Sequence, residues 1–261
     1  MTSLRYLLLG LILTAPLHAA IFGKKNRGEP DILIVGDTFG HDAEKIRPSK
    51  DNPITYMHFV GKQRDMGAIV AGEKMPRPDQ IEALIDRTMQ SQGFVRREVG
   101  DAVPDIFIVH TYGSAYVPES VYDNIEFDEE SGEFSGQTVA PDIVGDREMF
   151  ALAGGAKVLQ NGAKRDELED VRTQASIDRL FVMIAAIDGE KFYNGEAEIL
   201  WRTRISIPTI GYNLPDNMNL MLETAAPYLA AETSTPVILR EEDRRETEVE
   251  IGDLEVIEDD G

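Results

Sequence analysis

Cysteine is absent from this 261-residue chain. That excludes a disulfide framework, a thiol nucleophile, a cysteine-ligated metal and a lipidated-cysteine anchor. Stability must then come from the core alone, which a chain of this length can supply. Bases are scarce as well: 26 Lys and Arg stand against 47 Asp and Glu, a formal net charge of −21. Such a field repels phosphate backbones and anionic bilayers, whose binding depends on cations, so nucleic acid is not an expected partner. Only four histidines and one tryptophan occur. No G-x-S-x-G elbow and no ligand set at metal spacing is present. No cofactor, no metal and no catalytic residue are therefore expected. Hydrophobic content of 42% and a mean hydropathy of −0.25 are ordinary for a globular protein.

One long apolar run is present, at the start. Arg5 precedes Leu7, Leu8, Leu9, Leu11, Ile12 and Leu13, and Pro16 breaks the run before Ala19 and Ala20. A basic residue, a short apolar stretch and a small-residue zone make a secretory signal peptide over 1–20. Gly10 and Thr14 interrupt the run, which is short for a span of about 20 apolar residues. The alternative is an uncleaved N-terminal membrane anchor; Lys24, Lys25 and Arg27 follow directly, where positive charge hinders translocation. After cleavage no stable membrane insertion is expected. Residues 21–30 read as a flexible lead-in, 31–245 as a single α+β domain, and 246–261, with eight acids and no base, as an acidic edge strand or tail.

Patterning inside 31–245 predicts a mixed sheet with helices packed on it. Ile32 to Val35 reads as a short strand ending at Gly36, and Ile54 to Val60 as a strand apolar on both sides. Pro78 and Asp79 open a helix with Ile81, Leu84, Ile85 and Met89 at helical spacing and Gly93 as its stop. Ile106 to Tyr112 follows as a buried strand, so residues 54–112 form a βαβ unit with parallel strands. Phe127 and Phe134 flank a Ser131-Gly132 hairpin turn. A helix is expected from Arg147, and a solvated helix or loop over 160–175. Leu180 to Ile187 and the alternating segment 197–207 are antiparallel neighbours. The last helix opens at Pro215 and is kinked at Pro227. Residues 249–256 read as an edge strand or a small Gly-Asp hairpin.

Four features bear on chemistry. ILIVGDTFG at 32–40 looks like the nucleophile block of GDS-type esterases, with Thr38 in place of serine, but no histidine follows His110 to complete that site. By strand parity His58 points with Tyr56 and His110 with Tyr112; if both sets face one side of the sheet, they make a polar patch fit for a metal or a proton-transfer pair. No carboxylate at ligand spacing accompanies them, and hydrogen-bonded rings beneath the helix are the plainer reading. The 17-residue loop 61–77 carries Lys62, Arg64, Lys74 and Arg77 against Asp65 and Glu73, and it ends at a helix N-terminus that favours an anion. Met57, Met183, Met218 and Met221 fall at core positions, so packing accounts for them before copper ligation does.

PRPDQIEALIDRTMQSQGF followed by VPDIFIVHTYG, and AEILWRTRISIP followed by GYNLPDNMNLMLETAAPYLAAET, resemble exported bacterial envelope proteins of the domain-of-unknown-function 4136 family. The resemblance covers about half of the mature chain and implies a compact α+β fold, export, and in many members a lipid tether. This chain lacks the lipobox cysteine, and the family offers no functional residues to carry over. The reading that follows is an exported, periplasmic, non-catalytic structural or binding module, with a cell-envelope protein as its expected kind of partner. One alternative is a hydrolase or metal-dependent enzyme using His58 and His110. Another is a small-anion binding protein using loop 61–77.

Overall fold

A computed structural model describes residues 28–40, 46–59, 61–66, 74–98, 100, 102–116, 126–128, 133–135, 143–162 and 164–246. The expected leader, His41 and the expected strand at 249–256 lie outside the described residues. Along the chain run β1 (Ile32–Thr38), β2 (Thr55–His58), β3 (Lys62–Gln63), α1 (Pro78–Ser91), β4 (Val95–Arg96), β5 (Ile106–Ala115), β6 (Glu126–Asp128) and β7 (Glu133–Ser135). Then follow α2 (Ile143–Leu152), α3 (Gly155–Gln160), α4 (Arg165–Ala175), β8 (Arg179–Asp188), α5 (Gly189–Tyr193), β9 (Ile199–Pro208), α6 (Leu214–Ala225), β10 (Val237–Leu239) and α7 (Glu241–Glu246).

Eight strands form one mixed sheet in the order β10-β1-β9-β8-β5-β2-β4, with β3 also paired to β5. The fold is α+β, as the patterning predicts. β2 and β5 are parallel across the α1 crossover, and β8 runs antiparallel to both β5 and β9. β8 reads as continuously apolar because helices cover both of its faces. On one face α1 buries Ile81, Ile85 and Met89 beside Met218, Met221 and Leu222 of α6, over Ile108, Ile184 and Trp201. Each such side chain contributes about 1.5–3 kcal/mol of burial. On the other face Leu152, Ala153, Val158 and Val171, at or near α2, α3 and α4, pack against Leu33 and Phe181.

Helix limits follow their local chemistry. α1 starts with Pro78, whose missing N–H is harmless at the first helical position, and ends where Gly93 takes a φ of 87°. Asn213 caps α6 by accepting from the Asp216 N–H at 2.9 Å. The expected kink at Pro227 is instead an ending: α6 stops at Ala225, and Pro227 sits in a 3-10 turn, Ala226–Tyr228. Strand β1 passes through Gly36 to Thr38, beyond its expected end. β9 pairs with Gly36, Asp37 and Thr38, and the Thr233 hydroxyl accepts the Gly36 N–H at 3.1 Å on the other side. The described parts of the predicted hairpin pair Phe127 with Phe134. Among the described residues no helix is long and apolar enough to cross a membrane.

Candidate functional site

His58, Tyr56 and His110 project from β2 and β5 toward α1, and the two imidazoles meet. His58 Nε2 lies 2.8 Å from His110 Nδ1, and His58 Nδ1 lies 3.2 Å from an Asp86 carboxylate oxygen. The Tyr56 hydroxyl donates to that same oxygen at 2.9 Å, and Arg96 of β4 pairs with the other one. The missing carboxylate thus comes from α1, 28 residues along the chain from His58. No local motif shows it, because the crossover and the sheet register bring it there.

Burial alone would raise the Asp86 pKa, but hydrogen bonds from His58 and Tyr56, with the charges of His58 and Arg96, hold it below the ordinary carboxylate value. An ionised Asp86 orders the chain. In the neutral His58 tautomer that donates Nδ1–H to Asp86, His58 Nε2 accepts from His110 Nδ1–H, which leaves His110 Nε2 a bare lone pair. That atom is buried without a partner among the described residues. Gly61 closes over it: a Cβ there would overlap the imidazole. Tyr112, also buried, stacks 6.1 Å from His110, and burial raises its pKa. The arrangement is an Asp–His–His hydrogen-bond chain whose last ring atom lies against the main chain of Gly61. His58, Glu82 and Asp86 present ligand atoms within 4.8 Å of one another. Arg96 occupies that place, bridging Asp86 and, at 3.6 Å, Glu82, so a guanidinium already neutralises both carboxylates.

Burial, and next the neighbouring His58, push the His110 pKa from 6.5 down to about 4. The unfolded chain then binds a proton that the folded chain refuses, so stability falls as pH drops from 6.5 toward 4. Urea unfolding is expected to show a loss of up to about 3 kcal/mol across that window, removed in His110→Asn. A pH-independent midpoint there would contradict a neutral buried ring.

The four loop cations do not converge. Lys62 is exposed in β3, and residues 62–66 lie extended along β5, with Arg64 N–H donating to Tyr112 O at 2.9 Å and Met66 N–H to Ser114 O at 2.8 Å. β2 ends at His58 and leaves that half of β5 an open edge, which is why the expected loop begins as a strand. Arg64 pairs with Glu148 of α2 at 2.5 Å, on the face opposite α1. Lys74 is exposed, and Arg77 pairs with Asp79 at 3.2 Å at the start of α1.

On the α2–α3 face lies a hollow of about 310 Å³ that the residue patterns did not reveal. Its apolar lining includes Met66, Leu152, Phe181 and Met183. Its polar side is organised by Asp37, which pairs with Arg202 at 2.9 Å, Arg204 at 2.8 Å and Lys157 at 3.4 Å. Burial raises the Asp37 pKa, but these three cations outweigh it and hold it low. Lys157 also binds Gly36 O and Glu232, and Arg204 also binds Ala151 O. The available signal was Arg202 and Arg204 two apart in a strand buried on both sides. A shallower groove of about 570 Å³ is lined by Thr38, Arg47 and Glu232, whose charges are engaged by Pro227 O and Lys157. In a third, near Val103 and Tyr193, the charged lining groups are acidic: Asp105, Asp188 and Glu190. Neither His58 nor His110 lines any of the three.

No known family profile matches the chain, and no curated protein matches it. Solved structures do share parts of its shape. A PDZ domain protein from Parabacteroides distasonis is similar over 80% of this chain, at 10% identity and a TM-score of 0.40. The chain spans 39% of that protein's length. A PelC dodecamer from Paraburkholderia phytofirmans is similar over 77% of this chain and 99% of its own, at 8% identity and a TM-score of 0.33. A protein of the domain-of-unknown-function 4136 family from Bacteroides thetaiotaomicron is similar over 76% of this chain and 97% of its own, at 11% identity and a TM-score of 0.30.

Proposed function

We propose that this chain is an exported, non-catalytic structural or binding module of the cell envelope, periplasmic where the cell has two membranes, with residues 31–245 as its functional body and an envelope protein as partner. One observation carries the non-catalytic reading: the only imidazole pair among the described residues ends beneath Gly61. A general base needs its proton acceptor within reach of a substrate, and His110 Nε2 faces backbone instead. Asp86 and Arg96 then act as internal partners of a buried ring, not as a charge relay. The leader pattern at 1–20 supports export.

Cell fractionation of the full chain, with mass determination of the product, tests export. A shortened product in the periplasmic fraction is expected, and an intact product in the cytosol would overturn it. For the non-catalytic reading, the double variant His58→Ala/His110→Ala is expected to melt lower than the parent, with neither protein holding stoichiometric zinc or copper. Metal present in the parent and lost in the double variant would place an enzyme or metalloprotein reading ahead.

A further inference from the structure

We infer that the hollow between the sheet and helices α2 and α3 binds a small organic monoanion, a single carboxylate carried on an apolar body. This deepens the binding-module reading and rests on it. It shares no residue with the histidine chain, which lies across the sheet: Thr111 of β5 lines the hollow, while its neighbours His110 and Tyr112 point the other way.

Charge sets the ligand's sign. In a chain of net charge −21, four cations meet here: Arg64, Lys157, Arg202 and Arg204. Three carboxylates answer them: Asp37, Glu148 and Glu232. One positive charge is left over, so one more carboxylate completes the balance and two would overfill it. Donor geometry says where it would bind. Lys157 has three acceptors around its ammonium, and both terminal nitrogens of Arg204 are engaged. Arg202 is different. Its Nε and Nη2 both donate to Asp37 Oδ2, at 3.2 and 2.9 Å, and its Nη1 has no partner among the described residues. Its guanidinium is held 5.4 Å over the Phe39 ring and its side chain keeps 32% of its exposure, so the unused edge is both oriented and reachable.

Shape and lining set the body. About 310 Å³ is at the small end of the range for organic ligand sites. Met183 and Phe181 on the floor and Leu152 and Met66 on the walls offer nothing that a polyhydroxylated ligand needs. An inorganic anion would leave that surface wet, whereas an aryl or branched alkyl group covers it.

Calorimetric titration of the purified chain with phenylacetate, octanoate, 2-phenylethanol and inorganic phosphate tests the proposal. Saturable binding is expected for the two carboxylates at about 1 mM or tighter, and for neither the alcohol nor phosphate. Arg202→Gln should weaken phenylacetate at least about tenfold. Ala156→Trp, at the exposed rim, should block it without touching the core. Lys74→Gln, outside the hollow, should leave it unchanged. Absence of carboxylate binding, equal binding of phosphate or the alcohol, or binding indifferent to both Arg202→Gln and Ala156→Trp would overturn it. These outcomes are read independently of fractionation and metal content, so the ligand can fail while the envelope module stands, and the reverse.

Discussion

Asp37→Ala is expected to destabilise the fold by about 3–5 kcal/mol, the range found when one partner of a buried ion cluster is removed. The carboxylate stands among three cations, and the Arg204 and Lys157 side chains each retain only 7% of their exposure. Without it, two buried charges and a half-exposed Arg202 repel one another in a medium that screens poorly. Glu232 and the Gly36 and Ala151 carbonyls remain as acceptors, which keeps the loss from growing further. Asp37→Asn, which keeps the volume but not the charge, should fall between. Urea midpoints at pH 7 measure both. The pKa of Asp37 is lower in the folded chain, so its stabilisation is present above the ordinary carboxylate range and is lost as pH falls through the folded value. Parent and variant should therefore converge in acid. A loss below about 1 kcal/mol at pH 7 would mean that the cluster is solvated rather than buried.

Asp86→Ala should cost nearly as much, about 3 kcal/mol, for a different reason. Asp86 is 4% exposed, and its carboxylate serves three donors from two strands, Tyr56 and His58 of β2 and Arg96 of β4. Removing it takes from the tyrosine hydroxyl and the imidazole N–H their shared side-chain acceptor beneath α1. Asp86→Asn restores one acceptor and should recover part of the loss. Asp37 and Asp86 lie on opposite faces of the sheet and share no partner. Their double variant should accordingly be additive within about 0.5 kcal/mol. A larger coupling would mean that the two polar clusters communicate through β9, β8 and β5.

Much of the fold was legible because periodicity reports burial. The α1 stripe, the Pro78 start and the Gly93 stop are local signals, and so is the continuous apolar run of β8 between two helical layers. Parity grouped His58 with Tyr56 and His110 with Tyr112, and the register of β2 on β5 decided that the two sets share a face. Errors arose where an element depends on a distant partner. Lys62 and Gln63 are a strand only because β2 ends early and bares the edge of β5. Gly36 does not end β1, because Thr233 hydrogen-bonds it from the far end of the chain. β10 is three residues long, too short for an alternation to show, and exists through pairing with β1.

By itself the order of residues decided the α+β class, the parallel crossover, the faces that helices cover and the excess of negative charge, since each depends on composition or on spacing along one element. Which charged groups meet was settled only by tertiary structure. Asp86 reaches His58, and Asp37 gathers Arg202, Arg204 and Lys157, through strand register and helix packing. Electrostatic attraction acts across angstroms of space, and distance along the chain does not report it.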